Sequence, residues 1–122
     1  DGGAQLNIQE LDIIARENLP ILTIIFNNSA LGMIANFQKL YFENRNTSSY
    51  WGKYKCDFGK IASGYNHKYY KVEDESQFKS ALTRFRELKQ PMVIEVIMEN
   101  SNECRPRLEF GNNLDKQSPE IK

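Results

Sequence analysis

Hydrophobic and polar positions change their spacing several times along the chain, and each change predicts a new element. From Leu6 to Glu17 the apolar residues recur at near-helical spacing, with acidic residues towards the start and Arg16 towards the end, as a helix dipole favours. Pro20 ends this segment because the residue before a proline avoids the helical region. Ile21–Phe26 is then continuous, apolar and mostly β-branched, which predicts a central strand of a parallel sheet covered on both faces.

The rest of the chain continues the alternation of helical and strand patterns. The order helix, strand, helix, helix, strand, helix, strand predicts an α/β fold in which a parallel sheet carries helices on both faces. A loop rich in Asn, Ser, Thr and aromatic residues, at 44–55, is expected to pack over an active-site mouth or a subunit interface. The other predicted elements are helices at about 31–42, from Asp57 to Gly64 and from Asp74 or Glu75 onward, and strands at Lys68–Val72 and Met92–Met98.

Three strands are few for a sheet of this architecture. A central strand such as Ile21–Phe26 is expected to pair with another strand along each of its two edges. We therefore expect a further strand leading into Asp1, and an unpaired edge in this chain by itself. Residues 1–98 are interpreted as the C-terminal part of a domain. Residues 99–122 are polar and contain Pro106 and Pro119, so we expect an extended tail that wraps a neighbour or is partly disordered.

Composition and charge narrow the classes of function. The 122 residues are 40% hydrophobic and 26% charged, with 16 basic and 16 acidic side chains, so no strong field attracts nucleic acid or an anionic membrane. The longest apolar run, Leu19–Phe26, is too short to span a bilayer, and the first residues show no signal-peptide pattern. Cys56 and Cys104 match no metal-binding spacing; free thiols are the favoured interpretation and a disulfide is the alternative. We expect a cytoplasmic protein without nucleic-acid or membrane partners.

Candidate chemistry is concentrated in the first residues and at the end of the first predicted strand. Asp1-Gly2-Gly3 opens the chain, and Asn27-Asn28 follows the strand. A bound diphosphate needs backbone donors and close approach, which glycines and a helix N-terminus permit. Magnesium prefers oxygen ligands, which the Asp1 carboxylate, the Asn28 amide and the Ala30 carbonyl could supply. If a strand before Asp1 lies beside Ile21–Phe26, these groups meet at the edge where open α/β sheets bind ligands.

Asp-Gly and Asn-Asn at this separation resemble the diphosphate-and-magnesium motif of thiamine diphosphate enzymes, although the glycine that normally precedes the aspartate would lie before residue 1. Either pair by itself is more often an ordinary turn. The wider sequence resembles acetolactate (acetohydroxyacid) synthases over roughly residues 1–98, most specifically in the first 45. The resemblance implies an incomplete thiamine diphosphate-binding fold, truncated at its N-terminus. The stretches that carry it are Asp1–Leu11, Arg16–Ile21, Asn27–Met33 and Phe37–Phe42.

For individual residues, the resemblance implies a cofactor half-site. Asp1 and Asn28 would be side-chain magnesium ligands, and Ala30 would contribute its carbonyl. Met33 would lie near the reactive end of the cofactor or the substrate channel, with a core methionine as the alternative. Phe37 stands where many acetohydroxyacid synthases carry a tryptophan. The residues expected to line the diphosphate through their backbone are Gly2, Gly3, Leu31 and Gly32.

The same resemblance implies a lyase or transferase that decarboxylates a 2-oxo acid and joins the product to a second carbonyl. Its cofactors would be thiamine diphosphate and Mg²⁺, with FAD as an optional cofactor of the full-length protein. A glutamate on a pyrimidine-binding domain of the same or the partner subunit assists in this family, and no residue here matches it. We therefore assign no catalytic residue, and expect an inactive isolated fragment and a homo-oligomeric full-length protein.

Two alternatives stay open. The chain could belong to a non-catalytic or inactive paralogue that serves as a binding or scaffold module. The tail at Arg105–Gly111 and the phenylalanine at position 37 depart from the biosynthetic enzyme. They favour, as the other alternative, a related enzyme of a surface-polysaccharide pathway.

Overall fold

A computed structural model describes residues 2–51, 56–98, 105–108 and 111–119. Within these ranges, helices and strands alternate in the predicted order, and a short antiparallel pair follows them. The elements are α1 (Gly2–Leu6), α2 (Glu10–Arg16), β1 (Leu22–Asn27), α3 (Gly32–Tyr41), α4 (Phe58–Gly64), β2 (Lys68–Val72), α5 (Glu75–Leu88), β3 (Met92–Ile97), β4 (Arg107–Leu108) and β5 (Gln117–Ser118).

The main sheet has three parallel strands in the order β1-β3-β2, so β3 lies at its centre. Helices lie on both faces. On one face, residues of α2 and α4 form a core with β1 and β3, made of Leu11, Ile25, Phe58, Ala62 and Val93. On the other face, Ala81 of α5 packs with Val72, Met92 and Ile94. The predicted α/β class, with a parallel sheet between two layers of helices, is confirmed.

β1 differs from the prediction of a central strand buried on both faces. In the described residues its strand neighbour is β3, and its other edge is the unpaired edge expected for this chain by itself. Ile25 is 4% exposed, whereas Phe26, on the opposite face, is 57% exposed. The reason is the reach of α5, whose side chains pack against β2, β3 and Leu22 at the start of β1 but leave the end of β1 uncovered.

The single helix predicted from Leu6 to Glu17 is wrong in detail. The structure has α1 and α2 separated by a turn at residues 7–9. Across this turn the backbone bonds close after three residues, as from Asn7 N to Ala4 O (3.2 Å) and from Leu11 N to Ile8 O (3.2 Å). Such bonds tighten the chain to about three residues per turn. Apolar spacing over one turn does not distinguish this geometry from an α-helix.

Two helix starts follow the local sequence closely. The Asp57 side chain accepts a hydrogen bond from Lys60 N at 2.9 Å and caps α4, as predicted. The Asp74 side chain accepts from Gln77 N at 2.8 Å and caps α5. Because a capping side chain satisfies an otherwise unpaired amide of the first turn, both helices begin where the sequence places an aspartate.

The C-terminal segment contains pairing that the sequence pattern did not predict. β4 and β5 are antiparallel, with Arg107 opposite Ser118 and Leu108 opposite Gln117. Strands of two residues are too short to show an alternating pattern of apolar and polar residues. The sequence of the tail therefore predicts an extended chain but not this pair of strands. The tail residues 99–104, 109–110 and 120–122 lie outside the described ranges. The division of the chain at residue 98 stays a prediction.

Candidate functional site

The end of β1 leads into a loop, Asn27–Leu31, that we call the strand-end loop. It lies at the carboxyl edge of the sheet and is followed directly by α3. Two consecutive asparagines fold it through their own side chains. Asn27 Oδ1 accepts from Ser29 N at 2.9 Å, and Asn28 Oδ1 accepts from Ala30 N at 3.2 Å. Asparagine favours such turns because its short amide reaches the backbone two residues on.

Two predicted glycines lie so close to this loop that a β-carbon on either would force a loop side chain to shift. Gly2 is buried, and a β-carbon built on it would overlap the side chain of Leu31 and lie 3.4 Å from Cη2 of Trp51. A β-carbon on Gly32 would lie 2.8 Å from Nδ2 of Asn28. The structure therefore brings Gly2, at the start of the chain, and the strand-end loop together. Asp1, the other predicted magnesium ligand, lies outside the described residues.

The remaining predicted cofactor contacts differ in their surroundings. Gly3 is exposed, and the Leu31 amide donates to the Ser49 carbonyl at 2.9 Å, so that donor is engaged within the protein. Met33 is 88% exposed, which makes the alternative of a core methionine wrong. Its predicted place beside the cofactor or substrate channel stays a prediction. Phe37 is also exposed, and its ring lies 4.8 Å from that of Tyr41.

The loop after α3 packs against the strand-end loop. Tyr50 forms an isolated antiparallel bridge with Ala30, and Ser49 is fully buried, with its hydroxyl donating to Oε1 of Gln38 on α3. Nothing in the sequence marked Ser49 or Gln38, because their meeting depends on how the loop folds back onto α3. Residues 52–55 of this predicted loop lie outside the described residues.

A buried carboxylate on β3, that of Glu95, forms a hydrogen bond to the first residue of the strand-end loop. Glu95 on β3 is 5% exposed, accepts from Asn27 Nδ2 at 2.5 Å, and accepts from the Tyr69 hydroxyl on β2. Burial, and then the hydrogen bond to Glu95, raise the pKa of Tyr69 far above its usual value. Sequence reasoning missed this group. An acidic residue inside the otherwise apolar Met92–Met98 was the signal, because a buried carboxylate needs partners.

The histidine and the described cysteine lie away from the strand-end loop in sequence, and each is partly or fully buried. His67 is buried, and its Nε2 lies 2.9 Å from the carbonyl of Leu11, so its ring, just before β2, packs against α2. Cys56 is a free thiol, and burial raises its pKa. The favoured interpretation of free thiols is therefore confirmed for Cys56, and it stays a prediction for Cys104, which lies outside the described residues.

The donors present fit magnesium better than a softer metal. Within residues 2–51, 56–98, 105–108 and 111–119, no three His, Cys, Asp or Glu side chains are grouped so that they could hold a metal ion. The strand-end loop instead offers the neutral oxygens of the Asn28 amide and the Ala30 carbonyl, and hard oxygen donors are what magnesium takes. In the same ranges no helix is long and apolar enough to cross a bilayer.

Residues 1–96 match the family described as thiamine pyrophosphate enzyme, C-terminal TPP binding domain. The chain belongs to this family. Thiamine pyrophosphate is thiamine diphosphate, so the resemblance inferred from the glycine and asparagine motifs is confirmed. The three-stranded parallel sheet and its helices are part of a thiamine pyrophosphate-binding domain.

Relatives of this chain include acetolactate synthases. It is 31% identical to the acetolactate synthase large subunit of Cyanidium caldarium over 91% of its length. It is 30% identical to the acetolactate synthase isozyme 3 large subunit of Escherichia coli (strain K12) over 95%, and 29% identical to acetolactate synthase 1, chloroplastic, of Oryza sativa subsp. japonica over 91%. The matched part covers 19%, 21% and 18% of these three proteins, so the chain spans about a fifth of their length.

Proposed function

We propose that this chain forms the diphosphate- and magnesium-binding half-site of a thiamine diphosphate-dependent enzyme acting on 2-oxo acids. The reaction would be the decarboxylation and carboligation of the acetolactate synthase type. The observation that supports the proposal most is the close approach of Gly2 and Gly32 to the strand-end loop, since a β-carbon on either glycine would force a side chain of that loop, Leu31 or Asn28, to shift. The family and its acetolactate synthase relatives support the class of reaction.

In this proposal, the chain binds and orients, while the cofactor carries the chemistry. Thiamine diphosphate, when bound, supplies the nucleophilic carbon and accepts the electron pair released as carbon dioxide leaves. Asp1 and Asn28 hold Mg²⁺ through side-chain oxygens, with the carbonyl of Ala30. Gly2 and Gly3 let the diphosphate approach the start of α1. Gly32 opens α3, whose N-terminus favours negative charge.

The proposed site is completed by a pyrimidine-binding domain of the same or the partner subunit in a cytoplasmic homo-oligomer. The exposed apolar side chains of α3, including Met33, Ile34 and Phe37, support this, since apolar clusters of this kind are commonly covered by another protein surface. A flavin in the intact protein remains part of the proposal. No side chain of this chain is assigned as a catalyst.

Binding of thiamine diphosphate to the intact protein tests the proposal. Calorimetry with and without Mg²⁺ should show metal-dependent binding, and a panel of 2-oxo acids should show release of carbon dioxide. Asp1→Ala or Asn28→Ala should abolish the metal-dependent binding, because each removes one oxygen ligand. Exposed residues of the C-terminal segment, Asp115 and Asn113, offer matched controls as Asp115→Ala and Asn113→Ala.

The outcomes separate the alternatives. Unchanged activity in Asp1→Ala and Asn28→Ala would remove the site assignment. Binding of thiamine diphosphate without release of carbon dioxide from any 2-oxo acid would identify the non-catalytic paralogue instead. Absence of Mg²⁺-dependent binding in the wild type would exclude the proposed cofactor site.

A further inference from the structure

Glu95 is a charged residue in the most buried strand of the molecule. It follows Met92, Val93 and Ile94, all fully buried, and lies on the same face of the sheet as Ile25 of β1. Moving a carboxylate out of water is costly unless hydrogen bonds replace its hydration. Both oxygens of the Glu95 carboxylate therefore need hydrogen-bond partners within the protein.

One oxygen of Glu95 connects β3 to the strand-end loop. Asn27 Nδ2 donates to Glu95 Oε1 at 2.5 Å, across 68 residues of sequence. The same Asn27 side chain accepts from Ser29 N at 2.9 Å through its Oδ1, so its amide group is held at both ends. The central strand therefore fixes the rotamer that shapes the start of the loop.

The other oxygen of Glu95 is held by a residue of β2, the strand that flanks β3 on its other edge. The Tyr69 hydroxyl on β2 donates to Oε2, and a β-carbon on Gly59 would lie 3.0 Å from Cε1 of the Tyr69 ring. The missing side chain at Gly59 thus lets α4 pack closely on Tyr69. Since burial and Glu95 raise the pKa of Tyr69, its hydroxyl stays protonated and remains a donor at neutral pH.

We propose that Glu95 is a positioning residue for the metal-binding loop: its carboxylate holds Asn27 and thereby aims the Asn28 amide oxygen and the Ala30 carbonyl at Mg²⁺. The inference rests on the proposed function. Glu95 touches neither the cofactor nor the metal in this scheme and acts only through Asn27. The loop itself supports the direction of the effect, because Asn28 Oδ1 accepts from Ala30 N at 3.2 Å immediately beyond the bonds that Asn27 makes.

The test measures the apparent Mg²⁺ affinity of the intact protein by calorimetry at a fixed concentration of thiamine diphosphate, with no turnover involved. Glu95→Leu removes the acceptor and should weaken Mg²⁺ by about 10- to 100-fold, as loss of groups behind a metal ligand commonly does. Asn27→Ala should weaken it to a similar extent. The double variant should be no weaker than the worse single variant, because both changes break one path.

Two milder variants separate positioning from other roles. Glu95→Gln keeps an oxygen that accepts from Asn27, so its Mg²⁺ affinity should stay within about threefold of the wild type. Tyr69→Phe removes the bond to Oε2 but leaves the bond to Asn27, and should also stay within about threefold. The Tm measured without cofactor should fall in both Tyr69→Phe and Glu95→Leu. The Mg²⁺ affinity should fall only in Glu95→Leu.

Each result decides the proposal. A loss in Glu95→Gln as large as in Glu95→Leu would assign the effect to charge, and a matching loss in Tyr69→Phe would assign it to general stability; either overturns the positioning role. If Glu95→Leu does not fold, Asn27→Ala decides, and an unchanged Mg²⁺ affinity in that variant overturns the inference alone. A wild type that binds no thiamine diphosphate with Mg²⁺ overturns both the proposed function and this inference.

Discussion

At the scale of single residues, the candidate site differs from the rest of the chain in the space available beside its glycines. Gly32 lies at the first position of α3, and a β-carbon there would come within 2.8 Å of the Asn28 amide nitrogen. Gly64 is the last residue of α4, and a β-carbon there would meet nothing within 4 Å. The two glycines therefore share a helical setting and differ in the space around them.

This difference gives a matched pair of substitutions. Gly32→Ala should weaken Mg²⁺-dependent binding of thiamine diphosphate by about 10-fold, because the added methyl group would displace the Asn28 side chain, the proposed metal ligand. Gly64→Ala should leave binding unchanged, because the added methyl group meets nothing within 4 Å. The helix itself should not be weakened, since alanine has a higher helix propensity than glycine. Calorimetry on the two purified variants of the intact protein measures both effects. Equal binding in the two variants would contradict the role given to Gly32.

At the scale of elements, short helices depend on their caps as much as on their packing. α4 has seven residues and begins at Asp57, whose carboxylate accepts the Lys60 amide hydrogen at 2.9 Å. That backbone hydrogen bond lowers the pKa of Asp57 below its ordinary value of 3.8, and the neighbouring Lys60 side chain adds to the effect. Since Phe58, next in sequence, is buried in the core beside β3, the cap also fixes a core residue.

The lowered pKa predicts how α4 responds to acid. A carboxyl group whose pKa is lower in the folded state contributes stability above pH 3.8, and this contribution is lost as the pH falls through the folded-state pKa. Asp57→Asn keeps an oxygen that can accept from Lys60 N but does not titrate. The difference in Tm between wild type and Asp57→Asn should therefore shrink between pH 6 and about pH 3.

Thermal unfolding followed by circular dichroism at several pH values measures this difference. Asp115→Asn, at an exposed position outside the helices, offers the control, since that side chain caps no helix of the structure. A wild-type advantage over Asp57→Asn that stays constant down to pH 3 would contradict the assigned role of the carboxylate.

At the scale of the whole molecule, the described part of the chain has an unpaired sheet edge at β1 and exposed apolar side chains on α3. β1 has β3 on one side, and Phe26 at its end is exposed; α3 exposes Met33 and Phe37 beside the candidate site. Surfaces of this kind are commonly covered in an assembled protein. Under the proposed function, we expect the half-site to need such an assembly in order to function.

We accordingly predict that the 122-residue chain produced by itself shows no turnover of 2-oxo acids and little affinity for thiamine diphosphate, because the site is shared with another domain. Calorimetry with thiamine diphosphate and Mg²⁺ measures this, with the intact protein in the same buffer as the positive control. Micromolar binding by the isolated chain would refute the shared site.

Local sequence was sufficient for most of the architecture. The β-branched run after Pro20, the apolar spacing of α5 and the aspartates at 57 and 74 predicted strand, helix and caps, because these depend on neighbours within one or two turns. Asp1-Gly2-Gly3 and Asn27-Asn28 indicated the thiamine pyrophosphate enzyme family, which the family match confirms, whereas magnesium binding at these residues stays a prediction.

Contacts between distant residues could be decided only by the tertiary structure. Glu95 meets Asn27 across 68 residues, the Leu31 side chain fills the space that a β-carbon on Gly2 would need, and the Ser49 carbonyl accepts the Leu31 amide hydrogen. The reach of α5 decided that Ile25 is buried while Phe26 is exposed. A sequence records the period and chemistry of each element, but these contacts depend on how the elements pack, which no local pattern contains.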